Sequence, residues 1–296
     1  MKNQSRLPLL LVLFVTSVLS INSNVIAQSN GGAGAPQPPM AEKKTKTTNI
    51  HGETIVDDYF WLREKTNPSV QAYLKSEDDY ALSAMKHTAG LQEKLYNEML
   101  SHIKQTDENV PYRSGNYFYY SRTEQGKQYP IFCRKKGSKE ASEEIILDVN
   151  ELAKGQKFMS VGMFIPSDDG NLLAYSTDNT GYRQYLLQFK DLRTGEVLPE
   201  KIERVTGLSW ANDNKTYFYV TEDAITKRSD KFFRRVLGTD KADLVYEEKD
   251  ELFDIGTGRS LDKKVIFLES VSKTSSEVYY LLATEPNSAM KMILAR

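Results

Sequence analysis

A single cysteine, Cys133, rules out an internal disulfide, so this chain must be held together by packing and hydrogen bonds. Histidine is nearly as scarce. His51, His87 and His102 are the only imidazoles, and none has the i, i+4 partner or the cysteine framework of a metal site. The pentapeptide Gly-x-Ser-x-Gly, which lifts a serine nucleophile onto a sharp turn, does not occur. Neither sign of charge is in surplus: 39 Lys plus Arg against 40 Asp plus Glu give a formal net charge of −1. That balance removes the positive excess on which polyphosphate binding depends, so no nucleic-acid partner is expected. No residue is therefore assigned a catalytic, cofactor-binding or metal-binding role.

What is present begins with an export signal. Lys2 and Arg6 precede the apolar run Leu7 to Leu19, and Val25-Ile26-Ala27 offers small side chains where a signal peptidase reads. Residues 1–27 are read as a signal peptide cleaved after Ala27, giving a periplasmic product; an uncleaved anchor is the alternative, disfavoured because the run is shorter than the roughly 20 residues that span a bilayer. No cysteine follows closely enough for lipid attachment. Residues 28–41, with Gly31-Gly32-Ala33-Gly34-Ala35-Pro36-Gln37-Pro38-Pro39, bury too little to offset their ordering entropy and read as a flexible tether.

Residues 42–110 form a helical segment. Its first part is weakly patterned up to Asp57-Asp58-Tyr59-Phe60-Trp61-Leu62-Arg63, an anchored extended stretch or turn. Asn67 then caps a helix with Pro68 at its first position. Val70, Tyr73, Leu74, Tyr80, Ala81, Ala84 and Met85 follow at helical spacing, with Glu77 interrupting the stripe and Gly90 closing it. Leu91, Leu95, Met99 and Ile103, with Tyr96 and Leu100 beside them, give a second amphipathic helix ending near Lys104. His87 and His102 fall near the two helix ends, where terminal carbonyls await donors.

From Tyr112 the hydrophobic period changes from about four to two. One strand-turn-strand opening recurs four times, at Tyr112–Tyr120, Ser167–Tyr175, Ala211–Tyr219 and Ser260–Leu268. Its turns, Gly115-Asn116, Gly170-Asn171, Asn214-Lys215 and Lys263-Lys264, are spaced 55, 44 and 49 residues apart, close to the roughly 40–50 of a propeller blade. Each opening is followed by a further strand (129–135, 185–192, 231–237, 277–283), and three repeats carry a fourth (144–149, 201–205, 243–247). The fold class is thus mainly β: an incomplete β-propeller of about four blades over residues 111–284, the fourth unfinished, preceded by the helical segment. A β-sandwich or irregular antiparallel sheet remains the alternative. Thr284 to Arg296 shows no clear strand, and 285–296 is read as an unmatched tail consistent with a shifted reading frame. Cys133 alternates with Tyr129 and Ile131 on one strand face and reads as a buried hydrophobe.

An ordered set of strings is similar to the prolyl oligopeptidase family, and within it to the oligopeptidase B (protease II) branch. It includes Asp58-Tyr59-Phe60-Trp61-Leu62-Arg63, Leu91-Gln92-Glu93-Lys94-Leu95-Tyr96, Val110-Pro111-Tyr112-Arg113, Gly126-Lys127-Gln128-Tyr129-Pro130-Ile131, Arg183-Gln184-Tyr185 and Trp210-Ala211-Asn212-Asp213-Asn214. The resemblance spans about 42–284. It implies a serine endopeptidase in which an α/β-hydrolase domain, shared with the amino-terminal helices, is capped by a seven-bladed propeller. It also implies short peptides as substrates, cleaved after Arg or Lys in complete relatives. The family's serine, aspartate and histidine follow the propeller, whereas 186 residues follow position 110 here and seven blades need roughly 315.

Other chemistry-bearing groups read as structural. Gly256-Thr257-Gly258-Arg259-Ser260 has its glycines and serine misplaced for a nucleophile and reads as a blade corner. Glu77-Asp78-Asp79 reads as a solvated helix face, Glu247-Glu248-Lys249-Asp250-Glu251 as a blade edge or loop, and Arg134, Lys135, Lys136 and Lys139 as a hairpin end. Two functions stay open: an inactive amino-terminal fragment of an exported peptidase that needs a missing or separate hydrolase domain, and a stand-alone periplasmic binding propeller. Open sheet edges would favour self-association in either case.

Overall fold

A computed structural model describes residues 37–296; the stretch read as a signal peptide, 1–27, and most of that read as a tether, 28–41, lie outside the described residues. The chain divides between His102 and Ile103 into two compact units.

The first unit opens with a hairpin that sequence reasoning missed. Strands β1 (Lys46–Ile50) and β2 (Glu53–Asp57) pair antiparallel in register from Lys46↔Asp57 to Ile50↔Glu53. His51 and Gly52 between them have φ of 54° and 85°, the two left-handed residues a tight two-residue hairpin turn demands. Trp61, in a 3-10 turn over Phe60–Arg63, is 8% exposed and donates its indole N–H to the Glu42 carbonyl at 3.0 Å, anchoring the expected aromatic cluster.

Helix α1 (Pro68–Met85) starts as read: the Asn67 side chain accepts the Ser69 N–H at 3.0 Å. It stops before Gly90. A 3-10 turn over Lys86–Thr88 leads into α2 (Ala89–Ser101), so Gly90 lies in the first turn of α2 and closes nothing. The break stands because its freed carbonyls find local partners, with Thr88 Oγ1 donating to Met85 O at 2.7 Å and His87 Nδ1 lying 2.9 Å from Ala84 O.

The second unit is four antiparallel sheets in succession. The first holds β3 (Asp107–Glu108), β4 (Tyr112–Ser114), β5 (Tyr117–Thr123), β6 (Ile131–Lys136) and β7 (Glu143–Asp148), and is followed by the short helix α3 (Val149–Leu152). Both β3 and β4 pair with β5, so the inner position is one strand interrupted around Pro111, which has no N–H to give a ladder. The second holds β8 (Ser160–Pro166), β9 (Leu172–Asp178), β10 (Leu186–Asp191) and β11 (Val197–Glu203). The third holds β12 (Val205–Trp210), β13 (Thr216–Glu222), β14 (Ser229–Val236) and β15 (Ala242–Glu247). The fourth holds β16 (Asp254–Arg259), β17 (Val265–Val271), β18 (Ser276–Leu282) and β19 (Lys291–Leu294).

Strand β19 corrects the reading of 285–296 as a tail and of the fourth blade as unfinished, since it pairs with β18 through Val278↔Leu294 and Tyr280↔Lys291. The strand has four residues, all exposed, and its register slips between Val278 and Tyr279, so it carries no period-two signal.

The four aligned turns share one backbone device. Gly115, Gly170, Asn214 and Lys263 all adopt left-handed φ, at 59°, 70°, 56° and 62°. In the last three, the preceding Asp169, Asp213 or Asp262 accepts the N–H two residues on, at 3.0, 3.0 and 3.2 Å, an Asx turn that holds the chain in that conformation.

Packing decides between propeller and sandwich. Three apolar clusters each join one sheet to the next: Tyr119, Ile146 and Leu147 meet Leu173 and Tyr175; Leu187 and Phe189 meet Trp210 and Tyr217; Phe218 and Phe232 meet Ile266 and Leu281. Serial face-to-face burial of this kind, worth about 1.5–3 kcal/mol per large side chain, is blade packing and not the single interface of two sheets.

Candidate functional site

The inner strands β4, β8, β12 and β16 all end toward the aligned turns, and a concave cavity of about 410 Å³ runs along them. Its apolar wall includes Tyr112, Phe164, Ile165, Leu208 and Trp210. Tyr112 stacks on Tyr119 at 5.8 Å and Phe164 on Phe132 at 4.6 Å, while the Trp210 indole N–H is fixed on Ile165 O at 3.0 Å.

The cavity's polar end draws on every sheet. Arg259, last residue of β16, forks onto Asp168 with Nη1–Oδ1 at 3.1 Å and Nη2–Oδ2 at 3.0 Å. Its Nη2 also donates to Asn212 Oδ1 at 2.7 Å and to Lys263 O at 2.6 Å. Lys263 Nζ lies 2.9 Å from Asp168 Oδ1 and 3.4 Å from Ser114 Oγ. Burial pushes the Asp168 carboxyl up, but hydrogen bonds from Arg259 and Lys263 prevail and hold it below the usual carboxylate range. The second and fourth sheets, which are not neighbours in sequence, are thereby clasped through Asp168.

Polar joints also lie between successive sheets. Arg134 is buried, pairs with Glu144 at 2.7 Å, donates to Gly170 O at 2.5 Å and covers the Tyr117 ring at 3.9 Å. Arg234 repeats the pattern in the third sheet, on Asp243 at 2.7 Å and on Pro286 O at 3.1 Å. Arg134 belongs to the strand that leads into the β6–β7 hairpin, as read, but it is buried where Lys136 and Lys139 are exposed, a distinction that composition alone did not make. Glu248, in the run 247–251 read as a blade edge or loop, is buried at 2% exposure. It accepts from Ser270 Oγ at 2.6 Å, Tyr246 at 2.9 Å and Arg296 at 2.8 Å. These bonds overcome its burial and hold its carboxyl at about 2.

The remaining sequence candidates scatter. His51, His87 and His102 all belong to the first unit, so no imidazole stands among residues 103–296. Gly256–Arg259 lies within β16, whose last residue is Arg259, and the turn begins only after it; Thr257 Oγ1 meets Ser209 Oγ at 3.1 Å across the third and fourth sheets. Ser209, in Gly207-Leu208-Ser209-Trp210-Ala211, is thus a buried mid-strand residue. Cys133 is fully buried beside Tyr120 and Ile131, and burial pushes its thiol up to about 12. Among the described residues, no three His, Cys, Asp or Glu side chains are placed to hold a metal.

The first unit carries a second surface. Helix α2 buries none of its residues, and Leu91, Leu95, Tyr96 and Met99 are 57%, 46%, 61% and 62% exposed.

Four serially packed, four-stranded sheets with aligned inner turns define the class as a β-propeller array, introduced by a hairpin and two helices. The family described as "Prolyl oligopeptidase, N-terminal beta-propeller domain" matches residues 38–296, and the chain belongs to the prolyl oligopeptidase family. That match runs through 285–296. Among curated relatives, dipeptidyl aminopeptidase BI of Pseudoxanthomonas mexicana is 38% identical over 274 residues, covering 86% of this chain and 38% of the relative. Protease 2 of Moraxella lacunata is 33% identical over 265 residues, with the same coverages of 86% and 38%. Among solved structures, oligopeptidase B from Leishmania major superposes with a TM-score of 0.80 at 30% identity, covering 88% of this chain and 40% of that one. The chain therefore spans about two fifths of the length of these relatives.

Proposed function

We propose that this chain is the propeller and lead-in portion of an exported, oligopeptidase B-like serine peptidase acting on short peptides after Arg or Lys, and that it is inactive until joined by an α/β-hydrolase domain. The observation that carries the proposal is the apolar face of α2, where Leu91, Leu95, Tyr96 and Met99 are presented to water. A 13-residue helix is marginal by itself and normally owes its stability to burying such a face. Support also comes from relatives named as peptidases, of which this chain spans about two fifths. In the complete enzyme, serine attack, general-base help from histidine and acyl-enzyme hydrolysis fall to the hydrolase domain. No residue of this chain is assigned to those steps.

The test is an assay of the purified chain with an Arg-containing fluorogenic peptide and a serine-directed covalent probe, before and after adding a separately produced oligopeptidase B hydrolase domain. The chain alone is expected to give neither turnover nor labelling, and the mixture to co-elute and to exceed the hydrolase domain's own turnover at least about tenfold. Serine-dependent turnover by the chain alone, or failure of the two parts to associate, overturns the reading. Export predicts a periplasmic product whose mass begins at Gln28, read by mass spectrometry of cell fractions.

A further inference from the structure

We propose that the concave face of the inner strands binds the carboxy-terminal end of a short peptide, with an apolar side chain against Tyr112, Phe164 and Trp210 and the terminal carboxylate at Lys263. Only the choice of a peptide as ligand rests on the function proposed above; the site itself rests on its shape and charge. A volume of about 410 Å³ lies within the usual range for small-ligand sites.

Among the described residues, Arg259, Lys263 and Asp168 are the charged side chains that line the cavity, two cations against one carboxylate, which leaves one net positive charge. Asp168 is shared between both partners, and the other two bonds of the Arg259 fork go to neutral oxygens. Lys263 keeps 40% of its side chain exposed, and its ammonium has three protons with only Asp168 and Ser114 in reach among the described residues. A carboxylate is the group that this free donor and net charge would attract.

Placement selects a terminus. Arg259 ends β16 and Lys263 sits in the turn after it, while Phe164 of β8 and Leu208 and Trp210 of β12 lie in the last three residues of their strands and line the same cavity. A peptide lying along those strands meets the cations with its end, and an amino terminus is repelled there.

Titration calorimetry on the full chain decides this with three probes: acetyl-Ala-Phe with a free carboxylate, its carboxamide, and acetyl-Glu-Phe-amide. The free acid is expected to bind about tenfold more tightly than the carboxamide at low salt, with the ratio shrinking as salt is added. Lys263→Asn removes the charge and keeps a residue that tolerates left-handed φ, as Asn214 does in the equivalent turn. It should bring the ratio within about twofold, with a modest fall in melting temperature because Asp168 then keeps Arg259 alone, and the protein is compared with the wild type well below that midpoint. Lys264→Asn, which removes the neighbouring 73%-exposed ammonium paired with Asp262, should leave the ratio intact. Absence of binding, equal binding of acid and carboxamide, or a ratio that survives Lys263→Asn overturns the proposal. Equal binding of acetyl-Glu-Phe-amide and the free acid overturns the assignment to a terminus. None of these readings needs the hydrolase domain, so a failed association experiment and a failed peptide experiment point to different errors.

Discussion

At the residue scale, Gly170 shows why the repeat tolerates so little at its turns. Its φ of 70° disfavours any side chain, and a Cβ there would sit 2.5 Å from the Tyr117 ring and 3.4 Å from Arg134 Nη1. Gly195 has a φ of 79° but nothing within 4 Å. Gly170→Ala is therefore expected to cost about 3 kcal/mol, backbone strain plus overpacking, and Gly195→Ala about 1 kcal/mol, read as denaturant midpoints. Glu248 gives a pH signature. Its folded carboxyl lies near 2 against an ordinary 4.5, so its contribution to stability is complete above pH 4.5 and is lost as pH falls toward 2. Glu248→Gln should flatten the stability profile across that window in urea titrations at stepped pH. Neither Glu248 nor Arg134 stands out in the sequence, because a charged residue is classed as surface by default and only partners from distant strands make its burial tolerable.

At the element scale, α1, α2 and the repeated strand-turn-strand openings are legible from period and caps, while β1, β2 and β19 are not. The β1–β2 turn is His51-Gly52, a weaker hairpin signal than Asn-Gly or Asp-Gly, and the strands around it are exposed on both faces. Helix α2 presents the opposite case, since its stripe is plain in the sequence yet unburied. Leu95→Glu, at a position already 46% exposed, should change the stability of this chain by less than about 0.5 kcal/mol. Under the proposed function, the same substitution should abolish association with a hydrolase domain in sizing experiments, which distinguishes a loss of assembly from a loss of stability.

For the whole molecule, the Asp168–Arg259 fork joins residues 91 positions apart and ties the second sheet to the fourth. Arg259→Gln should cost about 3 kcal/mol, because it leaves a partly buried carboxylate facing Lys263 alone, and Asp168→Asn somewhat less. The double variant should cost less than the sum by about 1–3 kcal/mol in a double-mutant cycle; additive losses would mean that the clasp is not coupled. By itself the sequence determined the β class, the repeat length, the turn positions and the family, since period two, Asx turns and left-handed residues are local properties that neighbouring residues impose. The tertiary structure alone decided that the sheets pack serially, that 291–294 completes the fourth sheet, and that Asp168, Arg259, Lys263 and Ser114 share one cavity end. Those outcomes depend on contacts between residues tens of positions apart, whose burial and hydrogen bonding no local pattern encodes.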